Sequence, residues 1–297
     1  MINRLAIIGI GLIGGSLSLA LKQSGRVKHV VGFSRKASTR SEAMSLGVID
    51  SAVSSIADAI QNADIVVLAV PVGAIADALI SIAPYVKDNM IITDVGSVKS
   101  QVVDAAKLAL GDKFRQFVPG HPIAGTEKNG PAAAFAELYQ EHRVVLTPTE
   151  QTDEVAIKKV RNMWKAAGAQ VSIMTAEHHD DVLAATSHLP HLLAFNLVDM
   201  LADEGGDDVA EVLRYAAGGF RDFSRIASSD PEMWRDISLT NSNAILSLLK
   251  KYQHQMGLLK QAIEQQDGDY LIAVFERAKQ ARDTCFNEQN LKDSSEV

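Results

Sequence analysis

The sequence predicts an α/β fold, with a doubly wound parallel sheet over residues 1–173 and an all-helical region over 174–297. Three observations predict it. Up to about residue 173, short apolar runs alternate with segments of helical periodicity. A glycine-rich turn directly follows the first of these runs. From about Thr175 the apolar runs end, and long stretches of helical periodicity take their place.

The glycine-rich turn identifies the first region as Rossmann-type. The apolar run Leu5–Ile8 reads as a buried strand and Leu12–Leu21 as a helix, so Gly9, Gly11 and Gly14 form a G-x-G-x-x-G turn between them. Glycine at these positions permits the tight turn, the close approach of a pyrophosphate and the close packing of helix on strand. A turn that binds no ligand is the alternative interpretation. The predicted cofactor contacts here are Gly9, Gly11, Leu12, Ile13 and Gly14.

Further elements follow from the same periodicities. The later apolar runs predicted as strands are Val30–Phe33, Ile65–Val70, Met90–Val95, Phe117–Pro119, Val144–Leu146 and Val171–Met174. Helices are predicted over 72–83, 98–110, 153–167, 176–202, 208–217, 231–265 and 268–290. A polar break is expected at Asp203–Asp208, and a polar tail at Lys292–Val297. Long helices rich in Leu, Ile and Ala often bury a stripe against a partner chain, so a homodimer through the helical region is a hypothesis.

Composition excludes several classes of function. The 297 residues are 47% hydrophobic and 22% charged, as in an ordinary globular protein. A net charge of −7 argues against a general nucleic-acid or membrane-surface role, because either needs a basic face. Cys285 is the only cysteine, so neither an intrachain disulfide nor a thiolate metal cluster is expected. With no evident signal peptide and no apolar run of membrane-spanning length, we expect a cytoplasmic protein.

The choice between NAD and NADP depends on the end of the second strand. NAD-preferring sites place an acidic residue there, to accept the ribose 2′-hydroxyl. This chain has Phe33-Ser34-Arg35-Lys36 instead. Ser34 can donate to a 2′-phosphate, and Arg35 can pair with its charge or stack on adenine. We therefore favour NADP, with NAD or both cofactors as alternatives. The simpler interpretation is that Arg35 and Lys36 are solvated charges in a loop.

His121 is the strongest catalytic candidate. It follows an apolar run, between a glycine and a proline, in a predicted loop at the carboxyl edge of the sheet, where ligands of open α/β sheets bind. Oxidation of a carbinol needs a base for the hydroxyl proton, and neutral imidazole suits this role near pH 7. Ser97, in Asp94–Lys99, follows a neighbouring strand and can either hold the ring in one tautomer or orient the hydroxyl. A structural histidine is the alternative.

Two further groups of residues are candidates for substrate contact. His188 and His191 are spaced as HxxH, but no third ligand at suitable spacing is evident, so substrate contact by one of them is favoured over a metal. The charged stretch 177–181 is interpreted as the first turn of a helix. Arg221 follows a glycine pair, and Arg225 lies four residues on, on the same predicted helix face. Such guanidiniums suit a carboxylate-bearing substrate; pairing with Asp222 or Asp230 is the alternative.

Together these stretches resemble the prephenate dehydrogenase family, which includes arogenate and cyclohexadienyl dehydrogenases. The matching text covers both regions in order: GIGLIGGS (9–16), DVGSVK (94–99), GHPIAGTE (120–127), TSHLPH (186–191) and GGFRDFSRIASSDPEMWRDI (218–237). The resemblance implies a nucleotide-binding domain with a helical dimerisation domain, and oxidative decarboxylation in tyrosine synthesis. No acid follows the second strand, in contrast to the NAD-type members.

The resemblance also implies roles for individual residues. His121 matches the family's catalytic histidine and Ser97 its hydrogen-bonding partner. Arg221 matches the arginine that binds substrate carboxylate, and His191 a histidine of the substrate pocket. The residues that match the border of the active-site entrance or its ionic gate are Thr126, Glu127 and Asp180. We expect His121 and Arg221 to meet over one nicotinamide ring.

Two other classes of protein remain as alternatives. One is another two-domain dehydrogenase, of 3-hydroxyacids for example, or an imine reductase; such enzymes commonly use a lysine in the helical domain. The other is a non-catalytic redox sensor that binds NADP(H) without turning over a substrate. The sequence leaves the preference between prephenate and arogenate open.

Overall fold

The computed structural model describes the backbone of residues 1–204 and 215–293 and the side chains of 1–203 and 215–284. The chain divides into two compact units, Met1–Ile245 and Leu246–Val297. The predicted helix over 208–217 lies outside the described residues except for its last three positions, as does most of the predicted polar break after Glu204. No helix of the described part is long and apolar enough to cross a membrane.

Six parallel strands form the main sheet. They are β1 (Leu5–Ile8), β2 (Val30–Phe33), β3 (Ser51–Val53), β4 (Ile65–Leu68), β5 (Ile91–Asp94) and β6 (Phe117–Val118). Their order in space is β3-β2-β1-β4-β5-β6, and every pair is parallel. The order reverses between β1 and β4, which is where dinucleotides bind in doubly wound sheets. The Rossmann-type sheet is thus confirmed, although β3 was not predicted because Ser51-Ala52-Val53 is too short and too polar to stand out.

A second, three-stranded sheet follows. It contains β7 (Gly120–Pro122), β8 (Arg143–Leu146) and β9 (Gln170–Ile173), with β7 antiparallel and β9 parallel to β8. The sequence predicted the last two as strands of one parallel sheet and did not predict β7. Pro119 separates β6 from β7; it has no N–H to continue a ladder, and its carbonyl accepts from the Thr147 N–H at 3.0 Å. The chain therefore leaves the main sheet at Pro119.

Twelve α-helices lie in the described part of the chain. They are α1 (Leu12–Gln23), α2 (Ala37–Ser45), α3 (Ile56–Ile60), α4 (Ile75–Ile82), α5 (Ser100–Leu110), α6 (Glu154–Ala166), α7 (Ala176–Leu183), α8 (Leu189–Glu204), α9 (Gly218–Ser224), α10 (Pro231–Thr240), α11 (Ser242–Glu264) and α12 (Gly268–Asp293). A π-helical turn, Ala184–His188, joins α7 to α8. Among the described residues no strand follows Ile173, so the change to an all-helical region is confirmed.

One predicted helix is divided. Helical periodicity predicted a single helix over 231–265, but α10 ends at Thr240 and α11 begins at Ser242. Asn241 between them is buried, and its side-chain amide donates to the Asp180 carbonyl at 2.9 Å. A tertiary hydrogen bond of this kind is invisible to periodicity, and it accounts for the break between the two helices.

The core lies in two layers, one on each face of the main sheet. Leu5 and Ile7 face a cluster that includes Trp164, whereas Ala6 and Ile8 face a second cluster beneath α4 and α5. Successive strand residues point to opposite faces, so a sheet that is covered on both sides needs continuous apolar runs. A small third cluster packs Val98, just before α5, against Trp234 and Ile237 of α10. This cluster places α10 beside the carboxyl end of β5.

Candidate functional site

His121 lies on a strand rather than in the predicted loop. It occupies the centre of β7, paired with Val145 of β8, and only 9% of its surface is exposed. Because β7 begins two residues after β6 ends, the imidazole lies near the carboxyl edge of the main sheet. Strand pairing holds the backbone of His121 more firmly than a loop would.

A buried ion pair fixes the start of β7. Lys99 and Asp94 are both fully buried, and the Lys99 ammonium donates to Asp94 Oδ2 and to the Gly120 carbonyl, the latter at 2.8 Å. The Gly120 N–H donates to Asp94 Oδ1 at 3.1 Å. Each carboxylate oxygen is therefore occupied, as a buried charge requires. The pair joins the end of β5 to the residue preceding His121.

His121 belongs to a chain of hydrogen bonds that ends on a carboxylate. Its Nδ1 lies 2.9 Å from His179 Nε2, and His179 Nδ1 lies 2.8 Å from Asp180 Oδ1. The two imidazoles meet edge to face, with ring centroids 5.1 Å apart. His179 is fully buried and Asp180 almost so. The arrangement resembles a base backed by an orienting acid, the geometry needed for proton abstraction.

The environment keeps both imidazoles neutral. Burial, followed by the proximity of His179, Lys99 and His188, lowers the pKa of His121 well below 6.5. Burial also lowers the pKa of His179, although the neighbouring Asp180 opposes this. Burial raises the pKa of Asp180, but hydrogen bonds from His179, Ser100 and Lys99 outweigh it and leave that pKa below its ordinary value. At neutral pH these three hydrogen-bonded residues are thus two neutral imidazoles and one carboxylate anion.

Asp180 is buried, two hydrogen bonds from His121. Its two oxygens accept the backbone N–H groups of Lys99 and Ser100, both at 2.8 Å. These groups begin α5, so the carboxylate caps that helix from a distant part of the sequence. The role that the resemblance implied for Asp180, at the entrance or its gate, differs from this placement.

A second set of contacts continues from Asp180 to His191. The Asn241 amide, which donates to the Asp180 carbonyl, also lies 3.1 Å from His188 Nδ1. His188 meets Trp234 edge to face at 6.1 Å, and His191 stacks on the same indole at 3.8 Å. The His191 Nδ1–H donates to the Ser187 carbonyl at 2.8 Å, so its Nε2 is the nitrogen available to a ligand. The π turn at 184–188 carries His188; such turns are frequent at functional sites.

Ser97 does not bond to His121. The histidine Nδ1 is bonded to His179, and the Ser97 side chain, which is half-buried, has no hydrogen bond within the described residues. The structure therefore gives the imidazole a different orienting partner from the expected one. Of the two roles considered for Ser97, orientation of a ligand hydroxyl is the one compatible with this geometry.

The arginines lie on the exposed side of the helical region. Arg221 is exposed on α9, a helix that packs against α8, and it pairs with no acid among the described residues. Pairing with Asp222 or Asp230 is therefore not observed, and Asp230 instead caps α10. Arg225 begins a 3₁₀ turn rather than continuing the helix, and its guanidinium lies 4.0 Å from Glu127. Arg221 makes no direct contact with His121.

Glu127 and Thr126 lie on the exposed segment after β7. The contact between Glu127 and Arg225 joins this segment to the helical region, and both side chains are more than half exposed. An exposed pair of this kind contributes little to stability and can open readily. The Thr126 hydroxyl accepts the Lys128 N–H at 3.3 Å, so it shapes the turn.

The glycine turn can hold a pyrophosphate. Gly9 has φ +102°, and a Cβ there would lie 2.2 Å from the Ala69 carbonyl oxygen; a Cβ on Gly14 would lie 2.5 Å from the Gly9 carbonyl. Nothing lies within 4 Å of a Cβ built on Gly11, and no side chain caps α1 there. Open space thus lies at the N-terminus of a twelve-residue helix, where backbone N–H groups and the helix dipole favour an anion.

Leu12 and Ile13 face the protein instead. Leu12 is buried in the core, and the Ile13 carbonyl accepts the Tyr139 hydroxyl at 2.5 Å. The backbone N–H groups of these residues lie at the start of α1, where they can face a nucleotide.

Beyond β2, Arg40 shapes the turn that carries Ser34 and Arg35. Its guanidinium donates to the Ser34 carbonyl at 2.5 Å and to the Arg35 carbonyl at 3.2 Å. Ser34 is half-buried, and the Arg35 side chain is exposed with no acidic partner among the described residues. Both side chains are thus available beside the end of β2, where the ribose of a dinucleotide lies.

Three residues of the site were not predicted from the sequence. His179 was noticed only within a charged helix start, and Asn241 was predicted to be inside a helix. Lys99 was quoted only as part of a motif. The position of Lys99 within Asp94–Lys99 was an available signal. For His179 and Asn241 no local signal exists, because their partners are 58 and 61 residues away.

Comparisons with known proteins extend across both regions. The family model described as the nucleotide-binding domain of prephenate dehydrogenase matches residues 17–173, and the model of its dimerization domain matches residues 175–277. The cyclohexadienyl dehydrogenase of Zymomonas mobilis is 41% identical over 280 residues, which are 94% of this chain and 95% of that protein.

Solved structures give the same result. The prephenate dehydrogenase of Aquifex aeolicus, in complex with hydroxyphenyl propionate and NAD+, has a TM-score of 0.88 at 35% identity, over 95% of this chain and 98% of that one. The arogenate dehydrogenase of Synechocystis has a TM-score of 0.79 at 30% identity, over 95% and 99%.

Alanine at the two turn glycines is expected to have different effects. Gly9→Ala forces a Cβ against the Ala69 carbonyl at positive φ, so the free energy of unfolding falls by about 1–3 kcal/mol or more. Gly11→Ala meets open space, so stability changes by less than about 0.5 kcal/mol while NAD(P)H affinity falls. Denaturant unfolding and fluorescence titration with NADH and NADPH measure both. Unchanged affinity in a folded Gly11→Ala protein would contradict the pyrophosphate site.

Proposed function

Because this chain belongs to the prephenate dehydrogenase family, we propose that it catalyses the NAD(P)-dependent oxidative decarboxylation of prephenate, of arogenate, or of both. The products are 4-hydroxyphenylpyruvate and tyrosine respectively, and the reaction belongs to tyrosine biosynthesis. One observation carries the mechanism: a buried, neutral His121, backed by His179 and Asp180, lies near the carboxyl edge of a nucleotide-binding sheet.

His121 acts as the base. The substrate has a hydroxyl group and a carboxylate on opposite carbons of a cyclohexadiene ring. When bound, NAD(P)+ accepts the hydride from the carbon that bears the hydroxyl group. His121 removes the hydroxyl proton as the carbonyl forms. Loss of CO₂ then leaves an aromatic phenolate, and the proton held by His121 returns to its oxygen to give the phenol. Aromatisation drives the reaction forward, so the protein's tasks are to align the substrate, hold its carboxylates and take one proton.

Arg221 and His191 hold the substrate. The Arg221 guanidinium is free of acidic partners among the described residues, which suits bidentate binding of a carboxylate. His191, held flat by Trp234, presents Nε2 to the other end of the substrate. Ser97 orients the reacting hydroxyl, while Thr126 and Glu127 border the entrance, with the contact between Glu127 and Arg225 as its ionic gate. The alternative dehydrogenases, which use a lysine in the helical domain, do not match this arrangement.

The family membership also supports a domain division and an assembly. Residues 1–173 form the dinucleotide-binding domain, and residues 174–297 form the helical substrate and dimerisation domain; the matched family models, which meet at residues 173 and 175, support this division. The protein is a homodimer through the helical domain, in keeping with the described function of the second family model. The cytoplasmic location stays a prediction.

The cofactor preference is for NADP. No acidic residue follows β2, and the half-buried Ser34 and exposed Arg35 provide a hydroxyl and a positive charge for a 2′-phosphate. NAD binds the same turn without that contact, so use of both cofactors is compatible with the site.

Activity measurements test the proposed reaction. Prephenate and arogenate, each with NAD+ and NADP+, are expected to generate absorbance of the reduced nicotinamide with at least one combination. His121→Asn lowers kcat by about 10²-fold or more, because the base is lost. Arg221→Gln mainly raises KM, by about tenfold or more, because a carboxylate contact is lost. Binding of NADPH without turnover of either substrate would favour the redox-sensor alternative, and unchanged kinetics in both variants would contradict the site assignment.

The pH profile tests the state of His121. A base works only when unprotonated, and the pKa of His121 lies well below 6.5, so kcat/KM stays high through pH 6.5 and falls only at clearly lower pH. The control is His121→Asn, whose residual activity is expected to show no such fall in kcat/KM at low pH. An acidic limb centred at or above pH 6.5 in the unaltered protein would contradict a buried, neutral base.

Substitution of Arg35 tests cofactor preference. Arg35→Ala raises KM for NADP+ by about tenfold, because a charged contact to the 2′-phosphate is lost, and leaves KM for NAD+ within about twofold. Lys36→Ala is the matched control, since Lys36 is an adjacent exposed cation. Steady-state kinetics with both cofactors measures the effect. Equal changes in KM for NAD+ and NADP+ would show that Arg35 does not contact the 2′-phosphate.

A further inference from the structure

The hydrogen bonds that join His121, His179 and Asp180 all run in one direction, from donor to acceptor. We propose that His179 is a positioning residue that sets this direction. His179 accepts a hydrogen bond from the Nδ1–H group of His121. This bond fixes the tautomer in which His121 Nε2 is unprotonated and free to take the substrate's hydroxyl proton. The tautomer follows from the hydrogen-bond geometry once His179 is neutral, whereas its use in catalysis rests on the proposed function.

The direction begins at Asp180. An ionised carboxylate can only accept hydrogen bonds, and this one already accepts the backbone N–H groups of Lys99 and Ser100. The third contact, at 2.8 Å from His179 Nδ1, therefore requires a proton on that nitrogen. A neutral imidazole carries one proton, so His179 Nε2 is an acceptor.

The direction then passes to His121. Its Nδ1 lies 2.9 Å from the acceptor nitrogen of His179, and two unprotonated nitrogens cannot bond, so His121 Nδ1 carries the proton. The remaining lone pair of the neutral ring is on Nε2. Helix α5 holds the anchor in place, because its first N–H groups bind both oxygens of Asp180 and prevent the carboxylate from rotating.

The same chain accommodates the charge formed in the reaction. When His121 Nε2 takes the proton, the ring becomes a cation, and its Nδ1–H then donates to His179 as a charge-assisted bond. His179 in turn donates to the Asp180 carboxylate, so an anion lies two hydrogen bonds away. Among the described residues, the other ionisable groups that face the two rings are Lys99, Asp94 and His188. None of these three is hydrogen-bonded to either ring.

The tautomer can be measured without substrate. Long-range ¹H–¹⁵N NMR spectra of histidine side chains report which ring nitrogen carries the proton, and comparison with His121→Asn identifies the signals of His121. The expected result is a protonated Nδ1 and an unprotonated Nε2 on His121 at pH 7. The reverse tautomer, or an equal mixture of the two, would overturn the proposal even if the enzyme turns over prephenate. Failure to turn over any substrate would end the proposed function but leave this measurement valid.

Two substitutions of His179 separate positioning from packing. Glutamine places an amide oxygen near the position of Nε2 and keeps the acceptor, whereas leucine removes it. His179→Leu is expected to lower kcat by about 10²-fold with substrate KM within about threefold, and to move the acidic limb of the pH profile. His179→Gln recovers at least about tenfold of that loss. His178→Leu, an adjacent exposed histidine, is the control and changes neither value.

A purely structural role gives a different result. In that case both His179 variants would lower NADPH affinity and thermal stability together, with no recovery by glutamine and no change in the pH profile. That outcome would overturn the proposal. If His179→Leu does not fold, the tautomer measured in the unaltered protein decides the matter.

Discussion

The carboxylate of Asp180 is the group on which the candidate site depends. This carboxylate accepts hydrogen bonds from the first N–H groups of α5 and from the Nδ1–H group of His179. The backbone carbonyl of Asp180 accepts a hydrogen bond from the Asn241 amide. One residue at the start of the helical region thus contacts the first turn of α5, the histidine that bonds to His121, and the residue between α10 and α11. Loss of a buried anion with this many partners would leave several donors unsatisfied together, which is more costly than loss of any one bond.

The buried pair Lys99 and Asp94 has a complementary role. Its charges are fully removed from water, a large desolvation cost that only a complete set of hydrogen bonds can offset. In return, the pair joins the last residue of β5 to Gly120, and so sets the position of β7 relative to the main sheet. His121 can therefore lie on a strand and still be near the carboxyl edge of the main sheet. The positive charge of Lys99 also helps to keep the neighbouring imidazoles neutral.

Much of the fold could be predicted because the signals are local. A sheet covered on both faces requires continuous apolar runs, so β1, β4 and β5 were evident, and the glycine turn follows from the contacts that a side chain at Gly9 or Gly14 would make. β3 and β7 were not evident, since three residues carry no clear periodicity and β7 contains a histidine and a proline. The break at Asn241 was not predicted, because the apolar periodicity continues from one helix into the next.

The sequence by itself predicted the parallel sheet, the glycine turn and the change to helices after Ile173, and it named His121, His191 and Arg221 as candidates. Only the tertiary structure decided what surrounds them: that His179 rather than Ser97 bonds to His121, that Asp180 is buried behind the base, and that Trp234 holds His191 flat. The physical reason is range. Strand and helix patterns arise from interactions between residues a few positions apart, whereas the tautomer and charge of a buried histidine depend on partners about sixty residues away, which local patterns do not record.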